Sequence, residues 1–358
     1  MKRIRVLVVE DSLTVRHRIC EVLAGDSEIE LVGQAADGKQ AIELCCKLRP
    51  DVVTMDMILP VMSGLAATEY IMAHCPTPIL VVSSSFNRGE LFKTYDALAA
   101  GAVDALEKPT GLEPEGAWER SLLAQVKLVS KIRVITHPRL RITGLGKPSP
   151  PAATPAVAER SARQHIAILA VGASTGGPAA IVEVLSGLPA AFRKPILLVL
   201  HISEPFGVAF AEWLDGQITR PVAYACDGDA VAALSGRVAM APPGQHLVVR
   251  EGRLRLTDEA ERHSCRPSVD VLFESVAREY GRAAAAVLLT GMGRDGAAGL
   301  LAIRRAGGLT IAQDEASSVV YGMPREAVSL GAAERVLSLH DIGATIGTLA
   351  AAVSEERG

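Results

Sequence analysis

The chain has 358 residues, 49% of them hydrophobic and 4% aromatic, with a formal net charge of −3. That length argues for two domains, each with a core of Ala, Val, Leu and Ile. The balanced charge, without a basic stripe or Arg/aromatic interleaving, argues against a nucleic-acid partner. No apolar run approaches the roughly 18 residues of a membrane span, so no direct membrane insertion is expected. Met1-Lys2-Arg3-Ile4-Arg5 runs straight into a strand and lacks the apolar core and cleavage site of a signal peptide. Cys20, Cys45, Cys46, Cys75, Cys226 and Cys265 form no CxxC and no ligand spacing with His. They are expected to be reduced, mostly buried thiols of a cytoplasmic protein.

In chain order, branched apolar runs and helix-spaced apolar residues alternate. Strands are predicted over 4–9, 29–32, 51–55, 79–83 and 103–106. Helices are predicted over 13–23 (behind the cap Ser12), 40–48, 65–74, 90–100 and 117–132. Five β/α units imply a parallel sheet with helices on both faces. Residues 133–163 break the pattern. Their stretch Lys147-Pro148-Ser149-Pro150-Pro151-Ala152-Ala153-Thr154-Pro155-Ala156 is Pro- and Ala-rich and reads as a linker. The second part starts again with a strand over 166–171. It continues with a strand over 196–200, a helix over 206–214, and strands over 237–240, 247–249 and 253–256. The last two are joined by a turn at Glu251-Gly252. A helix over 269–280 precedes a strand over 285–289. The expected fold class is thus α/β, with two doubly wound parallel-sheet domains: residues 1–132, flavodoxin-like, and 164–358, mostly parallel with a β-hairpin.

Ligands of such sheets sit at the carboxyl ends of the strands. In the first domain Glu10, Asp11, Asp56, Ser83 and Lys108 all fall there. A carboxylate attacking a phosphoryl group needs a divalent cation to offset repulsion, and Glu10, Asp11 and Asp56 supply the hard oxygen ligands that Mg²⁺ takes. Asp56 is then the nucleophile, giving an aspartyl phosphate. Lys108 pairs with the phosphate oxygens, and the Ser83 hydroxyl senses them.

In the second domain Gly172-Ala173-Ser174-Thr175-Gly176 fits G-x-S-x-G between a strand and a helix. A Gly-rich strand–helix turn serves a serine nucleophile or a phosphate cradle, and the motif alone leaves both open. A serine needs a base and an orienting carboxylate. His201, His246, His263 and His340 are the candidate bases, with His201 at the end of the strand over 196–200. Asp295, in Gly291-Met292-Gly293-Arg294-Asp295-Gly296, is the candidate acid.

Val9-Glu10-Asp11-Ser12, Asp51 to Asp56, Leu59-Pro60 with Gly64, Ser83 and Lys108-Pro109 together resemble the receiver domain of two-component signalling. Ala105 stands where many receivers carry an aromatic switch residue. Gly172 to Pro178, His201, His263-Ser264-Cys265-Arg266-Pro267-Ser268-Val269-Asp270, Leu288 to Gly296 and Tyr321-Gly322-Met323-Pro324 resemble the CheB methylesterase domain. The resemblance implies that Ser174 is the nucleophile, His201 the general base and acid, and Asp295 the orienting carboxylate, with the Met292 backbone amide as oxyanion donor. It implies no cofactor for ester hydrolysis and Mg²⁺ for phosphorylation. The implied substrate is the glutamate methyl ester of methyl-accepting chemoreceptors. The implied phosphodonor is a histidine kinase, whose action on Asp56 moves a receiver that otherwise blocks the Ser174 cleft. Members of this family also deamidate receptor glutamines.

Overall fold

The computed structural model describes residues 2–84, 87–109, 111, 114–132, 134, 165–202 and 205–351. Apart from residue 134, the linker expected over 133–163 lies outside them.

The first five strands are β1 (Ile4–Val9), β2 (Ile29–Ala35), β3 (Val52–Met55), β4 (Ile79–Ser83) and β5 (Asp104–Glu107). They form one parallel sheet in the order β2-β1-β3-β4-β5. Five helices cover it: α1 (Leu13–Ala24), α2 (Gly38–Leu48), α3 (Gly64–His74), α4 (Arg88–Ala99) and α5 (Ala117–Val129). Because side chains alternate along a strand, Val6, Val8, Val52, Leu80 and Val82 pack with Ile19, Leu122 and Val126 of α1 and α5. Leu7, Val9, Val53, Met55 and Val81 face the other way, onto Ala41, Ile71 and Leu91 of α2, α3 and α4. Burial on both faces explains why these strands read as continuous apolar runs.

The second part begins with β6 (Ile168–Ala173), α6 (Gly177–Gly187), β7 (Ile196–Leu200), α7 (Phe210–Gln217), β8 (Val222–Tyr224) and β9 (Val238–Met240). The antiparallel pair β10 (His246–Arg250) and β11 (Arg253–Thr257) follows, then α8 (Val269–Tyr280), β12 (Ala284–Leu288) and α9 (Ala297–Arg305). The chain continues through β13 (Leu309–Gln313), α10 (Met323–Ser329), β14 (Arg335–Leu337) and α11 (Leu339–Ala351). Seven of these strands form a parallel sheet in the order β14-β13-β12-β6-β7-β9-β8. From β6 the chain first fills one side of the sheet and then returns to place β12 on the other. The strand order therefore reverses between β6 and β12.

Two doubly wound parallel sheets with one hairpin match the expected fold class. Local differences have physical reasons. The helix expected from Phe206 starts at Phe210, because residues 205–209 form a turn in which Gly207 lies against Pro243 too closely for a Cβ. Strands β8 and β14 have three residues each, too few for a periodic signal. Cys46 and Cys75, expected as reduced thiols, are paired as a disulfide, which corrects that reading. The packed ends of α2 and α3 bring their Cα atoms to 5.7 Å, within disulfide reach. Of the other four cysteines, Cys20 and Cys45 are buried, Cys265 is half-buried and Cys226 is exposed.

The two sheets share one continuous apolar cluster that passes from α4 into α6 and α7. Four aromatics concentrate at this junction: Tyr95 of α4 stacks edge-on against Phe210 and lies 5.6 Å from Trp213, with Phe206 buried beside them. The Tyr95 hydroxyl donates to the Phe206 carbonyl at 2.6 Å, and Trp213 Nε1 donates to Asp96 Oδ1 at 2.8 Å. Exposed Arg88 pairs with Glu212 at the rim.

Candidate functional site

The first sheet reverses its strand order between β1 and β3, and the acidic residues sit there. Carboxylate oxygens of Glu10, Asp11 and Asp56 lie within 4.8 Å of one another. Glu10 and Asp56 are buried and Asp11 is exposed. Lys108, which follows β5, places Nζ 2.9 Å from Glu10 Oε2 and 3.0 Å from Asp56 Oδ2. Burial pushes the Asp56 carboxyl up from its ordinary range, with Lys108 pulling the other way. Glu10 is raised by burial and by the charge of Asp56. Burial would lower the Lys108 ammonium, but the two carboxylates outweigh it and hold it up. This is a hard-oxygen donor set with more buried negative charge than one lysine balances, and it fits a small divalent cation. Ser83 ends β4 with its hydroxyl buried and without a partner among the described residues. Gly64 lies so close under the Asp56 carbonyl that no Cβ could be accommodated, which keeps the β3–α3 loop tight around Asp56.

The second sheet repeats this arrangement with other chemistry. Ser174 follows β6, His201 follows β7 and Asp295 lies in the turn from β12 to α9. Backbone bonds hold the first two at the sheet edge: Ser174 N donates to Thr290 O at 3.0 Å, and His201 N to Ala173 O at 2.9 Å. Gly291 makes the crossing possible, since a Cβ there would come within 2.7 Å of Ser174 Cβ. Gly176 takes φ +76°, a left-handed turn that starts α6 beside the serine.

His201 Nε2 is 2.9 Å from Asp295 Oδ2; the carboxylate can only accept, so this nitrogen carries the proton. Asp295 is buried and well supplied with donors: Ser268 Oγ and Val269 N at 2.7 Å, and Asp270 N at 3.2 Å. Two of these donors are amides at the N-terminus of α8, where unpaired N–H groups and the helix dipole favour an anion. Burial would raise the Asp295 carboxyl, yet His201, Ser268 and Val269 together hold it below its ordinary range. For His201, burial disfavours the charge, but bonds to Asp295 and Cys265 and their charges push it up to about 9. The Cys265 thiol lies 3.8 Å from His201 Nδ1, the nitrogen turned away from Asp295. Ser174 and His201 line one cleft, and no hydrogen bond joins them in this arrangement. Met292 sits half-exposed between Gly291 and Gly293 on the same turn as Asp295.

The other histidines are engaged elsewhere. His246 is fully buried and its Nδ1 accepts from Ser268 N at 3.1 Å. His263 faces Asp270 at 3.2 Å, and His340 is an exposed partner of Glu183. Ser268 and Cys265 are the site residues that reasoning from chemistry alone does not find, because a serine before an apolar run signals a helix cap and nothing more. Both lie inside the segment that carries the family resemblance.

One wall of the Ser174 cleft comes from the first domain. Leu98, Val103, Asp104 and Gln125 line it opposite Thr175, His201 and Arg266. Burial there raises the Asp104 carboxyl to about 6, the Ala105 amide working against the shift.

A family model described as the CheB methylesterase matches residues 169–346, and one described as the response regulator receiver domain matches residues 6–114. The chain is 44% identical over 339 residues to protein-glutamate methylesterase/protein-glutamine glutaminase 2 of Anaeromyxobacter dehalogenans, covering 95% of each chain. It is 42% identical over 357 residues to the protein-glutamate methylesterase/protein-glutamine glutaminase of Nitrosospira multiformis, covering 99% of each. The solved CheB methylesterase catalytic domain of Thermotoga maritima is 34% identical, with 51% of this chain and 98% of that one covered and a TM-score of 0.49.

Proposed function

Because the chain belongs to the protein-glutamate methylesterase/protein-glutamine glutaminase family, we propose that Ser174, His201 and Asp295 hydrolyse glutamate methyl esters on the cytoplasmic helices of chemoreceptors. The observation that carries the reading is the His201–Asp295 couple set beside Ser174 in a cleft that the receiver half closes. Residues 1–132 are the receiver, 133–163 the linker and 164–358 the catalytic domain, working in the cytoplasm.

In the reaction His201 Nδ1 takes the Ser174 hydroxyl proton as Oγ attacks the ester carbonyl. Asp295 keeps the Nε2 proton in place and stabilises the imidazolium that forms. The Met292 amide donates to the oxyanion, and His201 returns the proton to the departing methanol. Water then loses a proton to His201 and attacks the acyl-serine, freeing glutamate. A receptor glutamine passes through the same acyl-serine with ammonia leaving. Ser174 and His201 are not hydrogen-bonded while the receiver lines the cleft, so opening must also bring nucleophile and base together.

Asp56 accepts the phosphoryl group from a histidine kinase. Glu10, Asp11 and Asp56 hold Mg²⁺, which supplies the charge that lets a phosphoryl group approach these carboxylates. Lys108 pairs with the added phosphate, and the unpartnered Ser83 hydroxyl turns to it. The two movements unsettle β4 and β5 and through them α4, whose Leu98 lines the cleft, and shift the population toward an open form.

The test is methanol release from methylated receptor membranes, with and without a small phosphodonor. Wild type should respond to the donor, Asp56→Asn should stay at its basal rate, and Ser174→Ala should release none. Release that ignores the donor would remove the gate and leave the esterase. Release from Ser174→Ala would remove the serine mechanism.

A further inference from the structure

We propose that the Ser174 cleft holds an inhibitory site for a soft divalent cation of the zinc type, formed by Cys265, His201 and Asp295. A ring nitrogen of His201, the Cys265 sulfur and an Asp295 oxygen lie within 4.8 Å of one another. Imidazole, thiolate and carboxylate are the three donor types that zinc takes, at about 2.0–2.3 Å. If the imidazole gives up its bond to Asp295 and turns, one ring nitrogen can share an ion with the Cys265 sulfur and the Asp295 oxygen, with a fourth position left for water. Cys265 is half-buried and lines the cleft, so an ion has a path to it.

The surroundings favour this cluster over the other two that could hold a metal among the described residues. Asp295 is already oriented by Ser268 Oγ and by the Val269 and Asp270 amides, an outer shell of the kind that fixes metal-binding carboxylates. The neighbouring group of His263, Asp270 and Asp295 is crowded by positive charge: Arg294 Nε donates to His263 Nδ1 at 3.2 Å, and Arg262 lies 3.7 Å from Asp270. Glu10, Asp11 and Asp56 offer oxygen alone, which suits a hard ion, whereas the thiolate selects a soft one. A cation on His201 removes the base that Ser174 requires, so binding stops ester hydrolysis. The inhibitory consequence rests on the esterase reading; the binding site does not.

The test uses the full chain after chelator treatment. Cobalt(II) is titrated as a zinc probe, following the near-ultraviolet thiolate-to-cobalt absorption, and Zn²⁺ binding is measured by calorimetry. One equivalent of cobalt should give the band in wild type and in the control Cys226→Ser. The band should be absent in Cys265→Ser, with Zn²⁺ affinity down roughly ten-fold or more. Zn²⁺ should inhibit methanol release reversibly, and Cys265→Ser should resist it relative to its own metal-free rate. A band that persists in Cys265→Ser, no band in wild type, or equal Zn²⁺ sensitivity of the two would overturn the proposal. If the band behaves as expected while neither wild type nor any variant releases methanol, the metal site stands and the esterase reading falls.

Discussion

The acidic site at β1 and β3 and the serine site at β6, β7 and β12 are built on the same plan and left in opposite electrostatic states. Each lies where strand order reverses in a parallel sheet, with side chains delivered by strand ends. In the first, burial raises Asp56 and Glu10, and a single lysine answers both. In the second, three donors and an imidazole hold the buried Asp295 carboxyl below its ordinary range. One site is short of positive charge and gains stability when a cation arrives. The other has its carboxylate satisfied by the protein's own donors, and needs access and the meeting of Ser174 with His201. A switch and a preorganised catalyst can therefore share an architecture and differ in how far the protein itself satisfies its buried charge.

The comparison breaks most sharply at Asp295. Asp295→Asn keeps the shape, but the amide leaves His201 without its anionic partner and free to hold the wrong tautomer. The expected loss in kcat is on the order of 10⁴-fold, with receptor binding retained. A loss below about ten-fold would show that Asp295 is not the orienting group. Circular dichroism of the variant checks that α8, which caps on this carboxylate, remains folded.

The pH profile comes next. As the proposed base His201 must be neutral to take the serine proton; burial works to lower it, but Asp295 and Cys265 outweigh burial and raise it to about 9. In chelator-treated enzyme kcat/KM should climb with pH up to that point, roughly fifty-fold between pH 7 and 9. The linkage to stability has the reverse direction. A histidine raised in the folded state contributes stability below its unfolded value near 6.5, and that contribution is lost as pH rises through about 9. Thermal midpoints should fall across this window in wild type and stay flatter in Asp295→Asn. A profile flat above pH 7 would mean that the open enzyme exposes His201 more than the closed one does.

Much of this was legible in the chain because strand ends are legible. Apolar runs closing on Asp11, Asp56, Ser174 and His201 place those residues at sheet edges by periodicity alone. The unreadable parts depend on contacts between distant segments. Ser268 and Val269 meet Asp295 across 26 or more residues. Cys46 and Cys75 are brought together only by the packing of α2 on α3. Tyr95 and Phe206 meet across 111 residues, and composition gives no hint that the scarce aromatics gather at the junction of the two halves.

Replacing the proposed phosphoacceptor sharpens the contrast from the other side. Asp56→Asn removes a buried negative charge whose raised carboxyl marks an unfavourable setting, so the sign is opposite to that of a salt-bridged aspartate. A carboxylate raised in the folded state contributes stability at acid pH that is lost as pH rises through its folded value. At neutral pH the thermal midpoint of Asp56→Asn should therefore exceed that of wild type, while the response to phosphodonor disappears. A lower midpoint would show that the Lys108 ion pair outweighs desolvation there.

The smallest effect tests how the two regions are joined. With alanine at position 105, no aromatic of β5 can report the state of Asp56, and α4 packs directly on α6 and α7 of the catalytic half. The Tyr95 hydroxyl bonds the buried carbonyl of Phe206, five residues from His201. Tyr95→Phe keeps the ring stack and removes that bond, at a cost of about 1 kcal/mol to the closed form. Basal methanol release should then rise about five-fold, with the phosphorylated rate unchanged, because only the closed state loses a contact. Unchanged basal release would place the latch elsewhere, at Trp213 and Asp96 or at the α4–α6 packing, and Asp96→Ala would separate those two.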